Sequence, residues 1–257
     1  MIANVVHQAS KRAVALRQSL EQRLGQVMLG WIAVAALVSA GRIALAPAAG
    51  SAPTLSVVLP YVLMVLAPVF SLMLALHWFR HGEAMAQPAF RLARIGRWRD
   101  VSLDEARAHR LFGTDGLMVS LLIGMLLNIP FRALEYLGAM PVIAGDVPPW
   151  LAVLRFSMTA DLVLMTSLYA IAFGAALRRA PVFPRLLLLV WLADLLMQVV
   201  IAQLVAAEPT LPAKVGVALG ALLETNVKKL AISMALWLPY LLLSKRVNVT
   251  FRRRVEA

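Results

Sequence analysis

Six stretches of this chain are apolar over about the length a helix needs to cross a hydrocarbon layer. No other feature restricts the fold as much. A bilayer core of about 30 Å takes roughly 20 helical residues. The runs cover residues 26–48, 54–79, 114–137, 150–177, 185–206 and 226–244. Hydrophobic residues make up 61% of the 257-residue chain, against roughly 45–50% in soluble domains. A water-soluble fold of this size cannot hide that excess, because much of it would remain on the surface. The expectation is an all-α, polytopic integral membrane bundle of six transmembrane helices.

The charge supports this and gives an orientation. A net charge of +12 raises the question of nucleic acid, but the basic residues flank apolar spans. No nucleic-acid partner is expected. With the N-terminus inside, the cytoplasmic segments hold Lys11, Arg12, Arg17 and Arg23, then seven arginines between Arg80 and Arg110. Arg178, Arg179 and Arg185 follow, then Lys245, Arg246, Arg252, Arg253 and Arg254. That is 19 of the 25 Lys and Arg residues, so the positive-inside rule places both termini in the cytoplasm. The segments between spans on the other side are short and rich in Pro and Gly, as in "APAAGSAPT". The N-terminal residues lack the short apolar region and cleavage site of a signal peptide.

Four units follow. Residues 1–25 form a cytoplasmic amphipathic segment, and 26–79 hold two membrane helices. Residues 80–113 are a basic cytoplasmic loop, and 114–257 a four-helix membrane domain. Within the loop, Ser102 and Glu105 have capping-box spacing, which predicts a short helix from Leu103. The chain has no cysteine, so disulfides and thiolate chemistry are excluded.

The end of the chain is distinctive. "ALWLPYLLLSKRVNVTF" contains Trp237, Pro239, Tyr240, Ser244, Lys245, Arg246, Val247, Thr250 and Phe251. It resembles the C-terminal signature of a bacterial membrane family catalogued as domain of unknown function 2569. "FGAALRRAPVFPRLLLLVWLADLL", with Phe173, Arg178, Arg179, Phe183 and Pro184, is similar to the middle of that family. The resemblance covers about residues 113–255 and implies a four-helix membrane unit, without an activity to carry over. On physical grounds, Pro239 kinks the last helix. Tyr240 suits the headgroup region, and Lys245 and Arg246 snorkel to phosphates.

Ionisable residues inside a membrane are expensive, and each needs a partner. Nine residues past Arg185, Asp194 lies about 13 Å into the layer at about 1.5 Å per residue. It reads as the most isolated acid of the chain, with Asn128 or Gln198 as candidate hydrogen-bond partners. Arg132, Glu135, Arg155, Asp161, Glu224, Lys228 and Lys229 fall at a common depth nearer the outer side. Both signs are present, so they are expected to form one paired cluster across the third, fourth and sixth spans. The histidines, His7, His77, His81 and His109, lack ligand spacing. No metal and no cofactor is expected, and no phosphate loop or catalytic motif appears.

The function expected from these features is that of a non-enzymatic accessory or scaffolding subunit of the bacterial inner membrane, acting through helix packing. The alternative is a small transporter, channel or lipid-handling protein that uses the intramembrane acids. The expected partners are the bilayer, anionic lipid headgroups, and a membrane protein or a second copy of the chain in a homo-oligomer.

Overall fold

A computed structural model describes residues 2–46, 54–92, 95–143 and 147–257, with side chains from Gln22 onward. The helices are α1 (Ile2–Ala44), α2 (Leu55–Trp78), α3 (Leu103–Ala108), α4 (Leu117–Ala139), α5 (Pro149–Leu177), α6 (Phe183–Ala206), α7 (Ala213–Leu243) and α8 (Lys245–Arg252). A single 3-10 turn spans Gly82–Ala84, and two three-residue strands, β1 (Trp98–Asp100) and β2 (Arg254–Glu256), pair antiparallel.

The chain is a helical membrane protein. Five helices are long and apolar enough to cross a bilayer: α1 from Gln22, α2, α4, α5 and α6. A sixth is reached when α7 and α8, which meet at 69°, are taken as one span. α7 is more polar because Glu224, Asn226, Lys228 and Lys229 lie around its middle. The outward faces carry Leu29, Phe70, Leu134, Leu189, Leu196 and Ile232, all exposed. A lipid environment covers such a belt at no cost, whereas water would not.

Three boundaries differ from the sequence reading. The expected break between residues 25 and 26 falls inside α1, whose backbone is helical for 43 residues without interruption. The face that the N-terminal segment presents lies outside the described side chains. The last long helix begins at Ala213, well before residue 226, because the polar residues that seemed to lie outside the span continue the same helix. Its sharp bend falls at Ser244, with φ −65° and ψ 128°, five residues beyond Pro239.

α5 is the central helix, packed against α2, α4 and α6. Its last turns are small: Ala170, Ala172, Ala175 and Ala176 are buried, as are Phe173 and Gly174. Small residues let membrane helices approach closely, so that dispersion between backbones holds them. At Gly174 the approach is tightest, since an added Cβ would stand 2.7 Å from Ala75 Cβ of α2. α1 is peripheral and is held by Trp31 Nε1 donating to Val65 O at 3.0 Å and Arg42 donating to Met140 O at 2.9 Å.

The loop and the C-terminus lock together at the basic end of the bundle. Ser102 caps α3 by accepting from the Glu105 amide at 3.1 Å. The Glu105 carboxylate turns instead to Arg99, so only half of the capping box forms. The strand pair, Trp98↔Glu256 through Asp100↔Arg254, was not anticipated; it ties the loop to the last residues. Phe251 is buried and packs on Phe183 with ring centroids 5.0 Å apart.

Arg246, expected to reach lipid phosphate, has acceptors within the chain itself. It donates to the carbonyls of Leu111 and Gly113, at 3.3 and 3.4 Å. Lys245 pairs with Glu256 at 2.7 Å. Arg252 is buried and donates to Leu241 O at 2.7 Å and Asn248 Oδ1 at 3.0 Å. Arg253, in the left-handed region at φ 50°, caps the carbonyls of Glu83 and Met85. Leu241 O lies in the last turn of α7, where a cation suits the free carbonyls.

Gly174→Val should lower the stability of the detergent-solubilised protein by roughly 1–3 kcal/mol, the usual cost of overpacking a tight contact. Gly124→Ala, where an added Cβ meets nothing within 4 Å, should leave the thermal midpoint unchanged. Thermal unfolding of the two variants side by side checks this.

Candidate functional site

α4 is a strongly apolar helix interrupted on one face by Asn128, Arg132 and Glu135. The 3–4 residue spacing places these three on one side of the helix. That side meets α5 and α6, which carry Asp161 and Asp194 among mostly apolar residues.

Arg132 is the centre of the site. Its Nη1 donates to Asp161 Oδ2 at 2.6 Å. Its Nη2 donates to Asp194 Oδ1, and its Nε to Asn128 Oδ1 at 3.2 Å. Only the fork of a guanidinium can serve two carboxylates and an amide in one plane. Asp194 gains two further donors: Tyr169 Oη at 3.0 Å and Gln198 Nε2 at 3.4 Å. The side chains of Arg132 and Asp161 are each 10% exposed, and that of Asp194 is 5% exposed. One guanidinium thus joins α4, α5 and α6 inside the apolar part of the protein.

Two acceptors remain open: Asp161 Oδ1 and Gln198 Oε1 are buried without a hydrogen-bond partner among the described residues. With both acids ionised, two carboxylates face one guanidinium and the cluster carries one excess negative charge. A proton or a donor group arriving from outside would relieve it.

A cleft of about 450 Å³ leads to this cluster. Its walls are α4 and α7, with Trp191 and Asp194 of α6 and Tyr169 of α5 at the bottom. Leu127 and Phe131 at its edge are exposed, so the cleft opens on the apolar flank of the bundle. Asn128, Asn226, Lys229 and Ser233 give it polar walls, and Trp191 and Trp237 aromatic ones. Lys229 of α7 bridges to Glu135 of α4 at 2.5 Å across the opening. This ion pair is partly exposed, with 58% and 24% of the two side chains accessible, so it holds the walls together weakly.

The expected seven-residue cluster therefore divides. Asp161 is paired with Arg132 as expected, across α4 and α5. Glu135 and Lys229 pair across α4 and α7. Lys228 turns away and pairs within its own helix with Glu224 at 2.5 Å, both residues largely exposed. Arg155 joins none of these and donates to Ile143 O at 3.2 Å.

Asp194, expected to be isolated, is drawn into the cluster by Arg132. The arginine side chain reaches deeper than its Cα, which reckoning by helical rise ignores. Tyr169 was missed. A phenol in the apolar run "TSLYAIAFG" was itself the signal, because a buried tyrosine hydroxyl usually has a partner.

Of the C-terminal residues singled out, Trp237 lines the cleft and packs edge-on against Tyr240, with centroids 5.9 Å apart. Pro239 lies within α7, and Ser244 forms the joint between α7 and α8. Lys245 and Arg246 belong to the C-terminal lock. No protein-family model, no curated protein and no solved structure matches the chain. The resemblance of its C-terminal half to the unknown-function family thus rests on the quoted residues alone.

Asp194→Asn keeps an acceptor for Arg132, turns its amide N–H toward the Tyr169 hydroxyl, which can accept it, and leaves Arg132 paired with Asp161. It should fold and lose no more than about 1–2 kcal/mol, with Tyr169→Phe costing about 1 kcal/mol for one hydrogen bond. Denaturant titration in detergent measures both; a loss of the folded state in Asp194→Asn would contradict the arrangement.

Proposed function

We propose that the chain is a multi-pass protein of the bacterial inner membrane, with six spans and both termini cytoplasmic. Its role on this reading is to bind a small polar or amphipathic molecule that enters the α4–α7 cleft from the membrane. The observation that carries the reading is the cleft itself: an opening on the apolar flank beside Leu127 and Phe131, spanned by the Lys229–Glu135 pair, with aromatic and amide walls and a charged floor at Asp194 and Arg132. A site with that gradient suits a molecule with an apolar body and a polar head. The open acceptors on Asp161 and Gln198 favour a head that donates hydrogen bonds or carries positive charge. The role is one of binding without turnover, since the guanidinium and both carboxylates at the floor are already engaged with each other.

A second reading, an accessory subunit that packs against a membrane partner, is favoured by α1. Little of its apolar stretch is buried inside the bundle, and Leu29, Val34 and Leu37 point outward.

Gly124 lines the cleft and has open space at its Cβ position, so Gly124→Phe should fill the cleft and leave the bundle intact. Native mass spectrometry of the purified wild-type protein should show a small-molecule or lipid adduct that Gly124→Phe lacks, at an unchanged thermal midpoint. An adduct equally present in both proteins would defeat the cleft reading. A co-purifying protein retained by Gly124→Phe, with no small adduct in either, would favour the accessory role.

The topology is tested separately. Reporter fusions after Pro47, Asp146 and Pro209 should all report the external side, as the division of basic residues requires. A cytoplasmic signal from any one of them would break the six-span arrangement.

A further inference from the structure

A second pocket, of about 280 Å³, lies at the basic end of the bundle, where α1, α2 and α5 come together beneath the 3-10 turn. We infer that it is a binding site for a phosphate group, carried by a lipid headgroup or by a soluble phosphate ester.

Its rim holds four arginines, Arg80, Arg107, Arg178 and Arg179, around one carboxylate, Glu83. Glu83 preorganises two of them. Arg107 Nη2 is 2.6 Å from Oε1, and Arg179 Nε is 3.0 Å from Oε2. The Arg179 contact lacks hydrogen-bond geometry, so its buried Nε–H remains an unused donor. Arg179 is further fixed by its left-handed backbone, φ 54°, and by stacking over Phe112 at 5.5 Å. Arg80 and Arg178 have no carboxylate partner among the described residues, and both are exposed to the pocket mouth. Asp104, 3.4 Å from Arg107, is almost fully exposed and leaves the excess of positive charge in place.

Guanidinium groups held in fixed directions are the usual receptors for phosphate, because each offers paired donors to its oxygens. The pocket is also built sterically. Gly82 lies so close to the end of α5 that a Cβ there would come within 2.5 Å of Arg178 O, so any side chain would push the turn off the site. The floor is apolar, from Leu24, Leu76 and Leu177. Trp78, exposed at the end of α2, marks the depth at which headgroups lie. A phosphate flanked by glycerol and the start of an acyl chain matches this combination, and so does a phosphate ester of a small organic molecule. The site is separate from the α4–α7 cleft and does not depend on its role.

The test uses the full chain in mild detergent, with two probes: phosphatidylglycerol, titrated by native mass spectrometry against phosphatidylcholine, and glycerol phosphate, titrated by calorimetry. Arg80→Gln/Arg178→Gln removes two unpaired cations and should keep the wild-type thermal midpoint. It should weaken binding roughly tenfold or more, through loss of charge-assisted contacts. Arg110→Gln removes an exposed charge outside the pocket and should change nothing. Weakening with the lipid alone assigns a headgroup, with glycerol phosphate alone a soluble ester, and with both the phosphate group itself.

A measurement on the unaltered protein stands beside the variants. Whichever probe binds should protect Arg80 and Arg178, and not Arg110, from modification by phenylglyoxal. If neither probe binds, or binding survives in the folded double variant without protection of Arg80 and Arg178, the site does not exist.

Discussion

A guanidinium held between two buried carboxylates in the apolar part of the protein determines how this bundle is arranged. Arg132 could not remain charged among α4, α5 and α6 without partners, and neither Asp161 nor Asp194 could do so without Arg132. Each bond also fixes geometry. The planar fork sets the rotation of α4 about its axis, and the two acids set the heights of α5 and α6 beside it. Asn128 and Tyr169 complete the shell and leave few alternative registers. Apolar packing alone specifies a membrane bundle poorly, because lipid chains are as apolar as leucine. A buried ionic cluster adds direction where dispersion has none, although its net contribution to stability is small once desolvation is counted.

The rest of the molecule follows from that constraint at two further places. On the α2 side of α5, Gly174 against Ala75 replaces charge with close contact. At the basic end, arginines of the last residues bind carbonyls of the loop and of the helix ends, closing α8 and the strand pair over the bundle. On the α7 side the contact is looser. α7 meets α4 through the exposed Lys229–Glu135 pair, and the space left between them is the cleft. The same arrangement therefore gives a three-helix centre joined by buried charge and one wall, α7, that meets α4 across an open cleft.

Much of the membrane character was legible in the sequence, because span length and charge asymmetry are one-dimensional signals. The apolar runs correspond to α1 from Gln22, α2, α4, α5 and α6, and Ser102 begins α3 where its spacing indicates. Depth reckoned from helical rise brought Asp161 level with Arg132, and the two are paired. It separated Arg132 from Asp194, because rise locates Cα atoms and not the ends of long side chains. Lys228 and Lys229 are adjacent in sequence, yet about 100° apart on the helix. One therefore reaches α4 while the other faces outward, and only the rotation of α7 decides which. β1 (Trp98–Asp100) and β2 (Arg254–Glu256) are three residues each and far apart in sequence, too short and too distant for a periodic signal. Lys245 and Arg246 read as lipid anchors because a basic residue near a span end is statistically that; their partners within the chain emerge only from tertiary contacts.

The most direct measurement of the central claim is the thermal stability of the detergent-solubilised protein with Arg132→Leu alone, and with Arg132→Leu, Asp161→Asn and Asp194→Asn together. If Arg132 holds two buried carboxylates, the single variant leaves both without their cation. It should lose about 3–5 kcal/mol or fail to fold. The triple variant, with no buried charge left, should recover most of that loss. A single variant as stable as the wild-type protein, or a triple variant no better than the single, would contradict the account.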